Sequence, residues 1–115
     1  MKLLIVDDSS PMRALVKSLV REVADEIFEC ADGNEVMAAY SLHQPDWVLM
    51  DIEMPEMDGL TASSQLTGAF PEARVIVVTK YDDDEIRQEA RAAGAIGYVL
   101  KEDLSVLKQL LIAPP

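Results

Sequence analysis

Five polar residues of this chain stand where short apolar runs end. Asp7 and Asp8 follow the first run, Asp51 the second, Thr79 the third and Lys101 the fourth. If the runs are parallel strands of one sheet, their carboxyl ends lie along one edge, and three acids, a hydroxyl and an ammonium converge there. The pattern therefore predicts a site for a metal ion and a phosphoryl group, assembled from the whole chain.

The three carboxylates indicate a bound cation. Like charges at adjacent strand ends repel each other, so their pKa values rise or a cation neutralises them. Mg²⁺ (or Mn²⁺) suits oxygen ligands at a partly open edge. A carboxylate beside such an ion can also act as a nucleophile and form an aspartyl-phosphate. Asp51, at the end of a buried central strand, is the candidate, and Lys101 and Thr79 can each contact a phosphoryl oxygen.

The elements that must position these residues alternate regularly along the chain. Apolar runs predict strands over residues 3–6, 26–30, 47–50, 75–78 and 96–100, each followed by a helical pattern. In the first helix the apolar face is predicted to comprise Met12, Leu15, Val16, Leu19, Val20 and Val23. The last helix is expected to end at Pro114 and Pro115. Five strands alternating with five helices favour a parallel sheet with right-handed crossovers and helices on both faces.

Length and composition narrow the classes of protein. The 115 residues predict one domain, 1–115, with no output domain in this chain. No apolar stretch approaches the ~20 residues of a membrane span, and no signal-peptide pattern begins the chain, so a soluble, cytoplasmic protein is expected. The net charge of -11 argues against direct nucleic-acid binding and favours a cation or a basic partner. Cys30, the lone cysteine, excludes an internal disulfide and is expected to be buried.

The motifs resemble one known family over essentially the full length. The adjacent acids Asp7 and Asp8, the segment 51–59 (DIEMPEMDG), and Thr79 and Lys101 at later strand ends together resemble the receiver domain of two-component response regulators. The resemblance implies a flavodoxin-like, doubly wound sheet of five parallel strands in the order 2-1-3-4-5.

The resemblance also implies roles for individual residues. Asp51 would be the phosphoacceptor and, with Asp8 and the backbone carbonyl of Glu53, a ligand of Mg²⁺, while Asp7 would be a supporting acid. Thr79 and Lys101 would contact the phosphoryl group. Tyr98 matches the aromatic switch position, whose ring can turn inward when Thr79 moves.

Partners follow from the same resemblance. The phosphodonor would be a phosphohistidine on a sensor histidine kinase or phosphotransfer protein, and a downstream protein or output domain would respond to the switch. The responding surface would comprise the fourth helix, the fifth strand and the fifth helix, through which a phosphorylation-linked dimer could also form. Such a domain is not an enzyme in the ordinary sense, because it assists only its own phosphorylation and dephosphorylation.

Three positions depart from the family pattern. Lys80 occupies a position that is commonly small, where it could crowd the phosphoryl site or add a second cation. Glu53 and Tyr81 occupy positions that modulate the attack of water on the acyl phosphate. Glu102 replaces the frequent proline after Lys101, which puts the family's usual cis peptide bond in doubt.

Two other functions compete with the switch. A degenerate receiver would act as a phosphorylation-independent interaction module; Lys80 keeps this alternative open, whereas the intact acids, Thr79 and Lys101 argue against it. A phosphohydrolase with an aspartyl nucleophile would resemble the haloacid dehalogenase group. Those enzymes carry an Asp-x-Asp pattern after the first strand, which the sequence Asp7-Asp8-Ser9 does not provide.

Overall fold

The computed structural model describes residues 1–113 and contains five strands and five α-helices in alternation. The strands are β1 (Lys2–Val6), β2 (Glu26–Cys30), β3 (Trp47–Met50), β4 (Val75–Thr79) and β5 (Gly97–Leu100). The α-helices are α1 (Ser10–Val20), α2 (Val36–His43), α3 (Gly59–Ala69), α4 (Asp84–Ala92) and α5 (Leu107–Ile112). Short 3₁₀ segments, Gly33–Glu35 and Lys101–Val106, precede α2 and α5.

All strands are parallel and pair in the order β2-β1-β3-β4-β5. The predicted flavodoxin-like topology is therefore confirmed. The central strands β3 and β4 are buried along their whole length, because helices cover both faces of the sheet. Alternate strand residues belong to two cores: α2, α3 and α4 cover one face, and α1 and α5 cover the other.

The first helix differs from its prediction. It ends at Val20, three residues before the last expected position, and Val23 lies in the following turn. Val16 and Val20 are buried, whereas Leu15 and Leu19 are 46% and 38% exposed, so the predicted apolar face was too wide. The sheet contacts a narrow stripe of the helix, and a residue one position from that stripe already faces solvent.

Smaller differences lie near the carboxyl terminus. Strand β5 begins at Gly97, and Ile96 is 63% exposed. The last α-helix begins only at Leu107, after the 3₁₀ segment. The expected helix end at residues 114–115 lies outside the described residues. Within residues 1–113 all peptide bonds are trans, including the one between Lys101 and Glu102.

The helices of the described residues are short or polar compared with a membrane span. None of those between residues 1 and 113 combines the length and apolar character that crossing a bilayer requires.

Candidate phosphoacceptor site

The first and third strands each continue directly into an acid. The Asp7 N–H donates to the Cys30 carbonyl at 3.1 Å, and the Asp51 N–H donates to the Val6 carbonyl at 2.9 Å. These bonds continue the ladder of the sheet by one residue beyond each strand. Both acids are buried, at 4% and 7% exposure, and are held by a rigid backbone.

Three carboxylates and an ammonium meet at this edge. Carboxylate oxygens of Asp7, Asp8 and Asp51 all lie within 4.8 Å of one another. The Lys101 Nζ lies 3.1 Å from Asp7 Oδ2 and 3.1 Å from Asp51 Oδ1. Asp8, in contrast, is exposed to solvent. The structure therefore brings together four of the residues that the strand ends indicated.

Burial and charge shift the acid–base properties of this cluster. Burial raises the pKa of the Asp51 carboxyl, the nearby Asp7 charge raises it further, and Lys101 offsets these effects only in part. Burial acts to lower the pKa of the Lys101 ammonium, but its hydrogen bonds and charge interactions with Asp51 and Asp7 outweigh burial and raise that pKa above its ordinary value. Burial and the Asp7 charge thus shift the protonation equilibrium of Asp51 toward its neutral form, compared with a carboxyl group in water.

The loop after Asp51 packs closely against the acid's own backbone. The Gly59 N–H donates to the Ile52 carbonyl at 2.8 Å, and a Cβ at position 59 would lie 1.8 Å from the Asp51 carbonyl oxygen. Only glycine permits this approach. One residue earlier, Asp58 caps α3 by accepting hydrogen bonds from the Thr61 N–H and hydroxyl, both at 2.8 Å.

An open cleft of about 190 Å³ lies above the acids. Most of the residues singled out from the sequence line it: Asp8, Asp51, Glu53, Thr79, Lys80, Tyr81 and Lys101. Asp7 and Tyr98 contact residues that line the cleft: Asp7 pairs with Lys101, and the Tyr98 hydroxyl donates to the Tyr81 carbonyl. The Lys80 side chain is exposed, and its Nζ lies 5.6 Å from the centre of the Tyr81 ring. Within residues 1–113, Lys101 forms salt bridges across the cleft and Lys80 forms none.

Thr79 and Tyr98 are joined through one intervening residue. The Tyr81 N–H donates to Thr79 Oγ1 at 3.2 Å, and the Tyr98 hydroxyl donates to the Tyr81 carbonyl at 2.6 Å. The Arg87 guanidinium lies 4.8 Å from the centre of the Tyr98 ring and forms an ion pair with Asp82. A displacement of the Thr79 hydroxyl would therefore act on the loop to which Tyr98 is bonded.

Arg13 and Asp32 also contribute to this edge of the sheet, and the sequence patterns did not predict their contacts. Arg13 Nη1 donates to the Asp7 carbonyl at 2.6 Å, and Arg13 Nε pairs with Glu29 at 2.9 Å. The position of Arg13 near the start of the helix that follows Asp7 is the one feature of the sequence that indicates this contact. Asp32 is buried and bonded to the loop that follows Asp51. An Asp-Gly pair suggests only a turn, so no local signal revealed that contact.

The carboxylates fit a small divalent cation. Two ligands on opposite sides of an octahedral Mg²⁺ ion, each at ~2.1 Å, are ~4.2 Å apart. The oxygens of Asp7, Asp8 and Asp51 lie within 4.8 Å of one another, a spacing close to that of oxygens around one such ion. All the donors are hard oxygens, and the adjoining cleft leaves room for water ligands.

The comparisons agree with this geometry. The family model described as the response regulator receiver domain matches residues 3–112. The oxygen regulatory protein NreC of Staphylococcus haemolyticus is 34% identical over 98% of this chain and 52% of its own length. The chemotaxis protein CheY of Bacillus subtilis is 36% identical over 87% of this chain and 84% of its own. The chain thus spans about half of NreC and most of CheY.

Solved structures give the same result. The Borrelia burgdorferi CheX–CheY–BeF₃–Mg²⁺ complex contains a chain 27% identical to this one, with a TM-score of 0.87 over 98% of this chain and 87% of that one. A two-component response regulator of the LuxR family from Aurantimonas is 29% identical, with a TM-score of 0.90 over 97% and 82%. Receiver domains act in two-component signal transduction, generally as regulatory switches that work with kinases and output domains. This chain belongs to the response regulator receiver domain family.

Proposed function

We propose that this chain is a phosphorylation-controlled switch in which Asp51 accepts a phosphoryl group in a Mg²⁺-dependent reaction. One observation carries the proposal: the Lys101 Nζ lies 3.1 Å from both Asp51 and Asp7, at the base of a cleft that Thr79 also lines. The chain acts in the cytoplasm, and the donor is a phosphohistidine on a sensor histidine kinase or phosphotransfer protein. The chain turns over no external metabolite and assists only its own phosphorylation and dephosphorylation.

The transfer uses groups that already face the cleft. A carboxylate oxygen of Asp51 forms a bond to phosphorus while the P–N bond to the donor histidine breaks, and the electron pair of that bond stays on the imidazole nitrogen. Lys101 then shares its ammonium with a phosphoryl oxygen, and the Thr79 hydroxyl donates to another. Positioning and charge therefore supply most of the catalysis.

Asp8, Asp51 and the backbone carbonyl of Glu53 would hold the divalent ion, and Asp7 would support them. When bound, the ion neutralises charge on the carboxylates and on the phosphoryl oxygens. The raised pKa of Asp51 is consistent with a site that favours added positive charge.

The signal then passes from Thr79 to the surface formed by α4, β5 and α5. When the Thr79 hydroxyl turns toward the phosphoryl group, it gives up the hydrogen bond from the Tyr81 N–H. The Tyr81 carbonyl is also the acceptor of the Tyr98 hydroxyl, so the ring responds to the same movement. A downstream protein, an output domain or a second copy of the chain would recognise the altered surface.

Mass spectrometry with matched variants tests the function. Incubation with Mg²⁺ and acetyl phosphate is expected to add one phosphoryl group to the parent and none to Asp51→Asn. The control Asp58→Asn removes the same charge from an exposed helix cap and should still form the adduct. No adduct with any donor, including a histidine phosphoprotein, would favour a phosphorylation-independent interaction module. Rapid turnover of the donor would favour a phosphohydrolase.

Lys80 is proposed to act as a second cation of the cleft. Its exposed ammonium is free of salt bridges within residues 1–113, which favours attraction of a dianionic donor over crowding of the site. Lys80→Ala should slow adduct formation, and the effect should shrink as salt rises. Faster adduct formation in the variant would instead indicate crowding, and unchanged rates would exclude both roles.

Glu53 and Tyr81 are proposed to modulate the attack of water on the acyl phosphate. Measuring the rate of phosphate release from phosphorylated Glu53→Asn and Tyr81→Ala, compared with the parent, tests the effect of each residue.

A further inference from the structure

A buried carboxylate outside the cleft contacts the loop that follows Asp51. Asp32, at 7% exposure, accepts hydrogen bonds from its own turn through the Asn34 N–H at 3.0 Å. It also accepts from the Glu56 and Met57 N–H groups, at 2.9 and 3.0 Å, across a separation of 24 and 25 residues. These backbone hydrogen bonds hold the pKa of Asp32 below its ordinary value, so the group is a charged acceptor at neutral pH.

The neighbouring glycine completes the contact. The Gly33 N–H donates to the Met57 carbonyl at 3.2 Å. A Cβ at position 33 would lie 2.4 Å from that carbonyl oxygen and 3.1 Å from the Asp58 carbonyl oxygen. The turn before α2 and the loop before α3 therefore meet backbone to backbone, and we refer to this contact of Asp32 and Gly33 with residues 56 and 57 as the latch.

The latch fixes one end of a short segment whose other end is already fixed. The Asp51 and Ile52 backbone groups are bonded to the Val6 carbonyl and the Gly59 N–H, respectively. Glu53 lies between these bonds and the residues held by Asp32. With both ends of the segment held, few directions remain open to the Glu53 carbonyl.

We propose that Asp32 is a positioning residue that orients the Glu53 carbonyl toward the divalent ion. The inference rests on the proposed function, since it concerns the same metal site. Asp32 does not touch the ion or the phosphoryl group. It organises the metal site before binding, so its removal should weaken affinity for the ion more than it slows transfer at saturating ion.

Matched Asp→Asn variants separate positioning from loss of charge. Asp32→Asn keeps the size of the side chain but cannot accept all of the same hydrogen bonds. It is expected to raise the Mg²⁺ concentration at half-saturation about ten-fold, as loss of a partner beyond the ligands commonly does. Asp58→Asn loses the same charge from the loop that Asp32 contacts, and it should shift half-saturation by less than about two-fold at physiological salt. Amide NMR shifts report the titration without any phosphodonor.

Two more measurements complete the test. In metal-free Asp32→Asn the Glu56 and Met57 amides should exchange with solvent faster than in the parent, and saturating Mg²⁺ should restore most of the rate of adduct formation. Gly33→Ala disturbs the latch at the residue next to Asp32 and should also weaken Mg²⁺ binding, with folding checked by circular dichroism. If folded Asp32→Asn binds Mg²⁺ as Asp58→Asn does, the inference is wrong and the proposed function stands. If the parent itself shows neither saturable binding nor an adduct, the proposed function fails first.

Discussion

Replacing Lys101 by methionine keeps an unbranched chain of similar length and removes the ammonium that lies 3.1 Å from both Asp7 and Asp51. Two buried carboxylates then remain side by side without their shared cation. We expect the free energy of unfolding of the metal-free protein to fall at neutral pH. The expected size of the loss follows from the geometry of the two contacts.

At 3.1 Å and an effective dielectric constant of ~20, each contact corresponds to ~5 kcal/mol of Coulomb attraction. Most of this is offset, because the ammonium regains its hydration when the chain unfolds. Removing one partner of a buried ion pair typically costs ~3–5 kcal/mol. The Lys101 side chain is 20% exposed, which places the expected loss at the lower end, ~3 kcal/mol.

The loss should depend on pH in one direction. Burial and the Asp7 charge already raise the pKa of Asp51, and removing Lys101 raises it further. A carboxyl group with a higher pKa in the folded than in the unfolded state binds its proton more tightly when folded, so folding becomes more favourable as pH falls. The free energy of unfolding of Lys101→Met should therefore approach that of the parent as pH falls from neutral toward the pKa range of carboxyl groups. Added Mg²⁺ should narrow the difference at neutral pH.

Urea unfolding of both proteins at neutral pH and at about pH 5, with and without Mg²⁺, measures these differences. Lys108→Met is the control, because Lys108 pairs with the exposed Glu22 at the surface and its loss should have little effect. The reasoning is refuted if Lys101→Met costs less than about 1 kcal/mol at neutral pH, as an exposed pair would. It is also refuted if the loss is the same at both pH values, since the effect would then arise from packing.

Further predictions concern other parts of the fold. Gly59→Ala should lower the free energy of unfolding by more than ~2 kcal/mol, because the added Cβ would collide with the Asp51 carbonyl. Gly68→Ala on the same helix should raise it by ~0.5–1 kcal/mol, because the space around Gly68 is open and alanine favours the helix. Tyr98→Phe loses a 2.6 Å hydrogen bond and should cost ~1 kcal/mol in urea unfolding; a larger m-value would contradict this simple loss. Burial raises the pKa of Cys30 to about 11, which leaves little of the reactive thiolate at about pH 8. Alkylation of the folded chain should therefore be about a hundred-fold slower than that of the urea-unfolded chain. Equal rates would show that the thiol is accessible.

The element order and the strand-end residues could be predicted from the sequence. Strands that are buried on both faces contain nearly continuous apolar runs, and these runs stand out from the amphipathic helices between them. The predicted apolar face of α1 was too wide. Periodicity indicates which side of a helix faces the core, but it does not indicate how wide a stripe of that side the sheet covers. Leu15 and Leu19 were assigned to the core for this reason, and both are exposed.

Asp7 and Asp8 illustrate what neighbours in sequence cannot reveal. The two residues are adjacent and chemically identical, yet Asp7 is buried against Lys101 while Asp8 is exposed and lines the cleft. Successive residues at a strand end point in different directions, so only the folded backbone distinguishes them.

The sequence by itself determined which chemical groups reach the edge of the sheet, because the end of each parallel strand brings its next residue to the same place. Only the tertiary structure decided how those groups pair. The contacts of Lys101 with two acids and of Asp32 with a loop 24 residues away join segments that are distant along the chain. Local sequence patterns do not reveal the distance in space between such segments. That distance is set only when the whole sheet folds.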